Sequence, residues 1–414
     1  MSNLQPVRGT HDILPDDMRR HLMVTDTARD VAALYGFEEL ATPIFEFTEV
    51  FSRTLGDVSD IVTKEMYTFE DKGGDRITLR PENTASVMRA YMSNGLQQSL
   101  PCRFFYRGPM FRYERPQKGR QRQFHQIGVE LIGIAEPLGD VEIIAVGSQI
   151  LDYLGIRDRT VLEINSLGDT ESRDAYRAKL VEYFGAYESE LSQESRERLS
   201  RNPLRILDSK DEKDRKIVAD APRFADSLTS DATAFFDEVL GRLDDLGIAY
   251  QLNPRLVRGL DYYCHTAFEF TTTELGAQGA VLAGGRYDGL VGQMGGPTTP
   301  GVGWAAGVER LAMMIDEPEP LNRPISVIPV GDDAFEPCFR LVQRLRHAGF
   351  AVDFGYSGNM KKRMKRADKA RSVAAVVIGS DELAKDVAAV RDMETGEQID
   401  VAMSSLEEHL ARYR

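Results

Sequence analysis

Phe104-Phe-Tyr-Arg-Gly-Pro-Met-Phe-Arg-Tyr-Glu114 and Gln123-Phe-His-Gln-Ile-Gly-Val-Glu-Leu131 are two strand-like stretches that together predict a β-hairpin. Side chains alternate between the two faces of a strand. The second stretch therefore has an apolar face of Ile127, Val129 and Leu131 and a mixed face of Phe124, Gln126, Gly128 and Glu130. The first stretch places Met110, Arg112 and Glu114 on one face. The apolar face is predicted core. The mixed face is typical of a ligand surface, because glycine lets a ligand approach and a ring can stack on a base.

A basic loop joins the two predicted strands. It reads Arg115-Pro-Gln-Lys-Gly-Arg-Gln-Arg122 and carries four cations in eight residues. An arginine fork such as that of Arg112 can hold a phosphate group in two-point geometry. We therefore predict that the polar face of the hairpin is an active site for a phosphate-bearing substrate. The alternative is a solvated sheet face beside a charged loop.

The composition is that of an ordinary globular protein, with 414 residues, 42% hydrophobic and 28% charged. A net charge of -14 argues against non-specific nucleic-acid binding, which depends on Lys and Arg. The charge is unevenly distributed, because the segment from Arg323 to the C-terminus has a net charge of +1 and the remainder one of -15. The last part of the chain is thus a distinct unit, and any nucleic-acid contact is expected to be local.

The cysteines and the apolar runs bear on the cellular compartment. Cys102, Cys264 and Cys338 lie far apart and form no C-x-x-C pair, which argues against a disulfide framework and a structural zinc site. No apolar run approaches the length needed to cross a bilayer, and the first residues lack the apolar core of a secretory signal. The sequence therefore predicts a cytoplasmic protein with no membrane association.

The chain is long enough for two or three domains, and four regions differ in pattern. We predict an α+β fold with a first part at 1–169, a mostly helical insertion at 170–245, a second part at 246–320 and an α/β unit at 324–414. The elements predicted with bounds are helices at Asp16–Tyr35, Pro81–Tyr91, Phe335–Ala348 and Asn359–Arg371 and extended segments at Leu40–Phe47, Arg76–Leu79, Thr266–Thr271, Val281–Leu282, Ile325–Val330, Ala351–Phe354 and Ala374–Ile378.

Four further segments carry candidate functional residues, and the last three also contain glycines. They are Leu79-Arg-Pro-Glu-Asn-Thr84, Leu256-Val-Arg-Gly-Leu-Asp-Tyr-Tyr263, Ala283-Gly-Gly-Arg-Tyr-Asp288 and Gly301-Val-Gly-Trp-Ala-Ala-Gly-Val-Glu-Arg310. The structural alternative is helix capping for the first and an interfacial tyrosine pair at a strand end for the second. In the last segment glycines precede a helix, which is a common phosphate site but, as a single instance, a weak signal. The P-loop, G-x-S-x-G and H-E-x-x-H motifs are absent from the sequence.

The hairpin and these four segments, in this order, resemble the histidyl-tRNA synthetase family of class II aminoacyl-tRNA synthetases, bacterial type, over nearly the whole chain. Ala41-Thr-Pro-Ile-Phe-Glu46, Met110 to Phe124 and Gly301 to Arg310 are similar to the three class II motifs. The segments 256–263 and 283–288 are similar to the two histidine-specific motifs. The resemblance implies a catalytic domain on a mostly antiparallel sheet, a helical insertion and a C-terminal anticodon-binding domain.

The implied reaction has two steps. Histidine attacks the α-phosphate of ATP to give histidyl-adenylate and pyrophosphate, and the histidyl group then passes to the 3′ end of tRNA(His), releasing AMP. The resemblance also implies Mg²⁺ bound to the ATP phosphates and a homodimer. It implies Arg258 and Arg112 as catalytic residues; Glu82, Thr84, Gln126, Glu130, Tyr262, Tyr263 and Tyr287 around histidine; Arg112, Glu114, Phe124 and Arg310 on ATP; and Arg115, Gln117, Lys118 and Arg120 on tRNA. No protein-bound metal is implied.

One residue departs from the family pattern, and two other functions compete. Asn83 stands in Pro-Glu-Asn-Thr where the family has glycine. The first competing function is that of a non-catalytic paralogue, the regulatory subunit of ATP phosphoribosyltransferase. The second is a class II synthetase for another amino acid. The C-terminal unit and the three arginines Arg112, Arg258 and Arg310 argue against the first, and the segment 256–263 argues against the second.

Overall fold

The structure is a computed structural model that describes residues 4–55, 61–207, 209, 211–256, 262–276, 279–318 and 323–413. The chain divides into two compact units, Met1–Glu317 and Pro318–Arg414. The strands are β1 (Glu38–Glu39), β2 (Phe45–Phe47), β3 (Tyr67–Glu70), β4 (Arg76–Leu79), β5 (Cys102–Phe111), β6 (Gln123–Ile132), β7 (Val161–Ser166), β8 (Gln251–Leu252), β9 (Cys264–Thr271), β10 (Ala280–Arg286), β11 (Gly301–Gly307), β12 (Ile325–Pro329), β13 (Val352–Phe354), β14 (Ala374–Ile378), β15 (Val387–Asp392) and β16 (Gln398–Ala402). The α-helices are α1 (Pro15–Leu34), α2 (Thr48–Leu55), α3 (Thr84–Ser93), α4 (Pro137–Tyr153), α5 (Thr170–Ala186), α6 (Gln193–Arg201), α7 (Glu212–Ala219), α8 (Ser230–Asp245), α9 (Leu290–Gln293), α10 (Val308–Ala312), α11 (Phe335–His347), α12 (Met360–Lys369), α13 (Ser380–Lys385) and α14 (Leu406–Leu410).

The first unit is built on an eight-stranded sheet in the order β1-β5-β6-β11-β10-β9-β7-β8. The inner pairings, from β5 to β7, are antiparallel. The two edge pairings, β1 with β5 and β7 with β8, are parallel, so the sheet is mixed. The predicted hairpin is present as β5 and β6, although its first strand ends at Phe111, before Arg112 and Glu114.

The two faces of this sheet carry different clusters of side chains. On one face, Ile127, Val129 and Leu131 are buried with residues of α1 and α4, as predicted for the apolar face of the hairpin. The apolar residues of α1, such as Val24 and Ala28, recur at helical spacing and fill that core. The other face carries a cluster of aromatic residues with α2, α3 and α9. The polar face of the hairpin points toward this second cluster.

Sequence-predicted elements differ from the observed ones at three places. The segment 40–47 is extended as a strand only at Phe45–Phe47, the edge of a three-stranded sheet in the order β2-β4-β3. The helix predicted from Pro81 begins at Thr84. The stretch that was predicted as a glycine-rich helix entry is a central strand, β11, before the short helix α10. Its glycines allow close packing against β6, as described below.

Residues 170–245 are mostly helical, in agreement with the sequence pattern. Tyr176, Leu180 and Phe184 of α5 form a small core of their own with Leu191, Ile206 and Phe224. The last helix of the region, α8, instead buries Val239 and Leu243 in the main core. No described helix is long and apolar enough to cross a membrane.

The second unit contains a five-stranded sheet in the order β13-β12-β14-β15-β16. The first three strands are parallel and match the predicted βαβ pattern, with α11 and α12 as the connecting helices. The antiparallel strands β15 and β16 were missed by the sequence analysis. β16 is largely exposed, so its side chains give little periodic signal.

Candidate active site

A cleft of about 290 Å³ opens on the polar face of the hairpin. It brings together residues that are distant in the sequence. The predicted residues that line it are Glu82, Thr84, Arg112, Glu114, Arg120, Phe124, Gln126, Tyr262, Tyr263 and Arg310. Glu130 and Tyr287 lie fully buried directly beneath them. The prediction that the hairpin forms one wall of a pocket agrees with this geometry.

Arg112 and Phe124 form one side of the cleft. The Arg112 guanidinium carbon lies 5.3 Å from the centre of the Phe124 ring. Its Nε donates a 2.8 Å hydrogen bond to the Pro81 carbonyl, which fixes the side chain toward Glu82. A held guanidinium next to an aromatic face can bind a phosphate while a base stacks on the ring.

The segment before α3 is organised by Glu82 rather than by Asn83. The Glu82 carboxylate accepts the backbone N–H groups of Thr84 at 2.7 Å and Ala85 at 2.9 Å. Asn83 makes no capping bond and the Thr84 hydroxyl donates to Glu130, so neither residue caps the helix as the capping alternative expected. Complete burial raises the pKa of Glu82, and the two backbone hydrogen bonds and the charge of Arg112 oppose this shift.

Asn83 has a negative φ of -114°, so its position requires no left-handed backbone. Its Oδ1 accepts hydrogen bonds from the Thr42 hydroxyl at 2.8 Å and from Arg80 Nη1 at 3.0 Å. The Arg80 Nε in turn donates to the Pro109 carbonyl of β5 at 2.9 Å. Asn83 thus joins the start of α3 to Thr42 and, through Arg80, to the hairpin.

Glu130 is the most deeply buried acid of the site. Thr84 donates to one of its oxygens at 2.7 Å, and the Tyr287 hydroxyl donates to the other. Burial raises the pKa of Glu130 to about 8; the hydrogen bonds from Tyr287 and Thr84 lower it, and the charge of Glu82 raises it further. Opposite Glu130 on β11 is Gly303, where a Cβ atom would overlap the carboxylate.

Three tyrosines form the apolar wall of this end of the cleft. The ring centres of Tyr262 and Tyr263 are 4.6 Å apart, and Tyr287 lies 5.9 Å from Tyr262. Burial raises the pKa of Tyr262 and of Tyr287 well above the usual value, so both keep their hydroxyl protons. Next to them, the buried Gln126 Oε1 has no hydrogen-bond partner among the described residues, and a ligand donor can satisfy it.

The opposite end of the cleft is charged. Arg310 donates from Nε to the Gly119 carbonyl at 3.1 Å and from Nη1 to the Ala280 carbonyl at 2.7 Å. Arg120 forms a 2.6 Å ion pair with Glu114. Desolvation by burial, followed by the nearby charge of Arg120, lowers the pKa of Arg310. Two arginines held close together in this way favour an anionic ligand at this end.

The residues predicted to contact tRNA differ in their solvent exposure and in their contacts. Arg115, Gln117 and Lys118 are exposed on the loop between β5 and β6. Arg120 turns inward to Glu114 and borders the cleft. Arg122 stacks on Tyr113, with its guanidinium carbon 3.9 Å from the ring centre. The loop therefore has an exposed basic tip and an anchored base.

Arg258, which the sequence analysis predicted as catalytic, lies outside the described residues.

Glu269 of β9 borders the cleft and was not singled out from the sequence. It stands between Phe268 and Phe270, which are fully buried, so the signal was a single carboxylate between two core aromatic residues.

Comparison with known proteins assigns this arrangement to a family. The family model "Histidyl-tRNA synthetase" matches residues 9–311, and the model "Anticodon binding domain" matches residues 325–413. The chain belongs to the histidyl-tRNA synthetase family. It is 60% identical to the histidine–tRNA ligase of Rhodospirillum rubrum, with 100% of both chains covered. The identity to the enzyme of Gluconacetobacter diazotrophicus is 57%, with 99% of each covered.

A solved structure agrees with this assignment. The structure of apo histidyl-tRNA synthetase from S. aureus matches with a TM-score of 0.83 and 36% identity, covering 98% of this chain and 99% of that one. The activity of the chain is accordingly that of a histidine–tRNA ligase: it activates L-histidine with ATP and transfers the histidyl group to tRNA(His). Sequence identities of 60% and 56% to histidine–tRNA ligases, over 98% or more of this chain, support the ligase activity and not that of the regulatory paralogue.

Proposed function

We propose that the cleft is the site of histidine activation, with the imidazole at the Glu130 end and ATP at the arginine end. The observation that carries the proposal is Glu130, a buried acid held by Thr84 and Tyr287 beside the unpartnered Oε1 of Gln126. Histidine offers two ring nitrogens, and a pocket that bonds both rejects side chains of similar size. Glu82 and the tyrosine wall complete this end of the cleft and face the rest of the amino acid.

ATP binding is proposed at the other end. Phe124 stacks on adenine, Arg112 contacts the α-phosphate, and Arg310 holds the far phosphates. The contacts of Arg112 and Arg310 with backbone carbonyls support these roles, because they orient both guanidinium groups before a ligand arrives. Glu114, which pairs with Arg120 at the cleft, completes the nucleotide side.

The chemistry of the first step fits this division. The histidine carboxylate attacks the α-phosphorus, and pyrophosphate leaves as the bond to the β-phosphate breaks. Charge moves onto oxygens around phosphorus, so catalysis is mainly positioning and electrostatic stabilisation. Arg112 supplies one cation from the hairpin. We propose Arg258 as the second, by the family resemblance of its segment.

Magnesium is proposed on the ATP phosphates. Glu114 and Glu269 are carboxylates that line the cleft, and carboxylate oxygens together with phosphates are ligands that Mg²⁺ prefers. When bound, the ion would neutralise phosphate charge and aid the departure of pyrophosphate.

The tRNA contacts are proposed on both units. Arg115, Gln117 and Lys118 at the exposed loop tip, with Arg120 at its base, are suited to the acceptor end of tRNA(His). On the second unit, α12 presents Lys361, Lys362, Lys365 and Lys369 as exposed cations, which suits an anticodon contact. We propose the domain limits 1–169, 170–245, 246–320 and 324–414 for catalytic, insertion and anticodon-binding parts.

A homodimer is also proposed. Phe45, Phe47 and Phe69 are about half exposed, and the register of β2, β4 and β3 sets them on one face of the three-stranded sheet. A contiguous apolar surface of this kind marks a protein interface. The cytoplasm is proposed as the compartment, in line with three cysteines that are all free thiols.

The activity is tested by ATP–pyrophosphate exchange with each amino acid in turn. Exchange stimulated by histidine alone is expected. Exchange driven by another amino acid, or by none, would overturn the proposal. Within the same assay, Arg258→Ala is expected to lose exchange while histidine binding largely persists, and unchanged exchange would remove its catalytic role.

A further inference from the structure

A second cluster of coordinating side chains lies beside β6, and one of its members, Glu309, also lines the cleft. His125 sits between Phe124 and Gln126, so alternation points it away from the cleft, toward the face where Ile127 packs. His21 of α1 and Glu309 of α10 meet it there. One donor atom from each of the three side chains lies within 4.8 Å of the other two. Three elements that are far apart in the sequence thus converge on one small volume.

The contacts within the cluster are close. The Glu309 carboxylate accepts the backbone N–H of His125 at 2.9 Å and 3.0 Å, and its Oε1 lies 2.8 Å from His125 Nδ1. The two imidazole rings meet edge to face, with centres 5.6 Å apart. His21 is 8% exposed, and the Glu309 side chain is 14% exposed. The cluster is therefore shielded but not closed to solvent.

The Glu309 carboxylate is paired with an imidazole and not with a Lys or Arg side chain among the described residues. A largely buried carboxylate is stable only when it is paired, hydrogen-bonded or bound to a metal. The Glu309 carboxylate is held by the backbone N–H and the imidazole of His125, with the His21 imidazole nearby, and a divalent cation would add a full positive charge to this group.

We propose that His21, His125 and Glu309 form a binding site for a divalent transition-metal ion of the zinc type. Two imidazoles and one carboxylate are the donor set of open zinc sites, in which water occupies the fourth position. Zinc bonds of about 2.1 Å set donors roughly 3.4 Å apart in a tetrahedron. To hold an ion, the His125–Glu309 pair at 2.8 Å would open and the more distant donors would approach, and side-chain rotation can provide both movements.

The chemistry of the imidazole ring suits a metal ligand. A neutral ring offers a nitrogen lone pair, which a metal ion needs. Imidazole suits zinc, copper or nickel far better than magnesium, so the site is distinct in chemistry from the proposed Mg²⁺ on ATP.

Binding would join α1 to two elements that carry cleft residues, β6 and α10. His125 is flanked by Phe124 and Gln126, and Glu309 precedes Arg310. An ion beside them would tie β6, α10 and α1 together and stabilise the folded state by mass action. The expected role is to hold the walls of the cleft, without contact to the reacting atoms.

The test is a titration of the metal-free full-length protein with ZnCl₂ alone, followed by calorimetry and by the thermal unfolding midpoint. We expect one tight equivalent and a raised midpoint. His21→Gln should weaken zinc binding at least tenfold and remove the rise in midpoint. The matched control is His347→Gln, an exposed histidine of the second unit, which should bind zinc like the parent.

Equal zinc uptake by the parent protein and by His21→Gln would overturn the proposed site. The absence of zinc uptake by the parent protein would overturn it as well. If His21→Gln fails to fold, as judged by circular dichroism, the parent protein with Co²⁺ decides. Tetrahedral nitrogen and oxygen ligation gives visible absorption bands that octahedral aqueous Co²⁺ lacks in comparable strength. Absence of those bands would equally contradict the proposal.

Discussion

Glu130 is the residue whose environment has the strongest measurable consequence. Its pKa of about 8 in the folded protein lies above the ordinary value of 4.5, because burial penalises the charged form. The folded state therefore holds the proton more tightly than the unfolded chain. The stabilisation from this proton is complete below the ordinary value and is lost as pH rises through about 8.

We predict that the free energy of unfolding falls with rising pH across this window, with a contribution from Glu130 of up to about 1.4 kcal/mol per pH unit. Glu130→Gln should flatten that part of the dependence, because the amide does not titrate. The measurement is urea unfolding at several pH values between 4.5 and 8. Glu38→Gln, on the exposed strand β1, is the control and should keep the parent slope. Parallel curves for the parent and Glu130→Gln would refute the prediction.

Asn83 gives a second prediction at this scale. Replacing it by glycine removes the acceptor of the part-buried Thr42 hydroxyl and one acceptor of Arg80 Nη1, which keeps the carbonyl and the hydroxyl oxygen of Thr42 as acceptors. We expect Asn83→Gly to lower the free energy of unfolding by about 1 kcal/mol, the cost of leaving the Thr42 donor without its acceptor. Urea unfolding measures this change.

The control for Asn83 is Asn83→Asp, which keeps an oxygen acceptor beside Arg80 and should lose less stability. Histidine-dependent exchange at saturating substrate is expected to survive in Asn83→Gly, because the side chain is engaged by Thr42 and Arg80. A glycine variant as stable as the parent would show that these hydrogen bonds contribute nothing.

The orientation of individual side chains could be predicted where neighbouring residues in the sequence set it. The period of two along β6 separated Ile127 from Gln126 correctly, because a strand turns alternate side chains to opposite faces. The cluster of His21, His125 and Glu309 was out of reach, since no local spacing links these positions. The same holds for Asn83, whose partners Thr42 and Arg80 become visible only after folding.

At the scale of elements, the loop between β5 and β6 has two parts that differ in their contacts. Its base is anchored, through the ion pair of Arg120 with Glu114 and the stacking of Arg122 on Tyr113. Its tip exposes Arg115 and Lys118. An anchored base with a free basic tip suits a loop that meets nucleic acid without disturbing the adjacent cleft.

We predict that the double variant Arg115→Gln, Lys118→Gln raises the KM for tRNA in aminoacylation and leaves exchange without tRNA unchanged. The salt dependence of tRNA binding should decrease by about one unit of log–log slope for each lost phosphate contact. Lys72→Gln, in the exposed turn between β3 and β4, is the control. Equal KM values for the parent and the double variant would contradict the assignment of the loop.

Elements were harder to predict where glycine replaces a periodic pattern. β11 contains Gly301, Gly303 and Gly307, which the sequence analysis took as the entry to a helix but which lie in a central strand. The strand is specified by its neighbours, β6 and β10, with which it pairs along its whole length. β16 was missed for a different reason, because an exposed edge strand needs few apolar residues.

For the whole molecule, the apolar face of the three-stranded sheet determines the proposed assembly. We predict that Phe47→Lys reduces the mass of the particle in solution from two chains to one, because a charge in a buried interface lacks a partner. Light scattering after size exclusion measures the mass. Phe339→Lys, a comparably exposed phenylalanine on α11 of the second unit, should leave the mass unchanged. A monomeric parent, or a dimeric Phe47→Lys variant, would rule out this interface.

The packing of β11 against β6 also has a genetic meaning. Gly303 faces Glu130, and Gly128 lies where a Cβ would overlap the Tyr106 hydroxyl and the Trp304 carbonyl. Alanine at either position would displace the floor beneath the cleft while every side chain that lines it stays the same. Such missense alleles are expected to cause loss of function, although an inspection of the ligand-contacting residues alone would predict no effect.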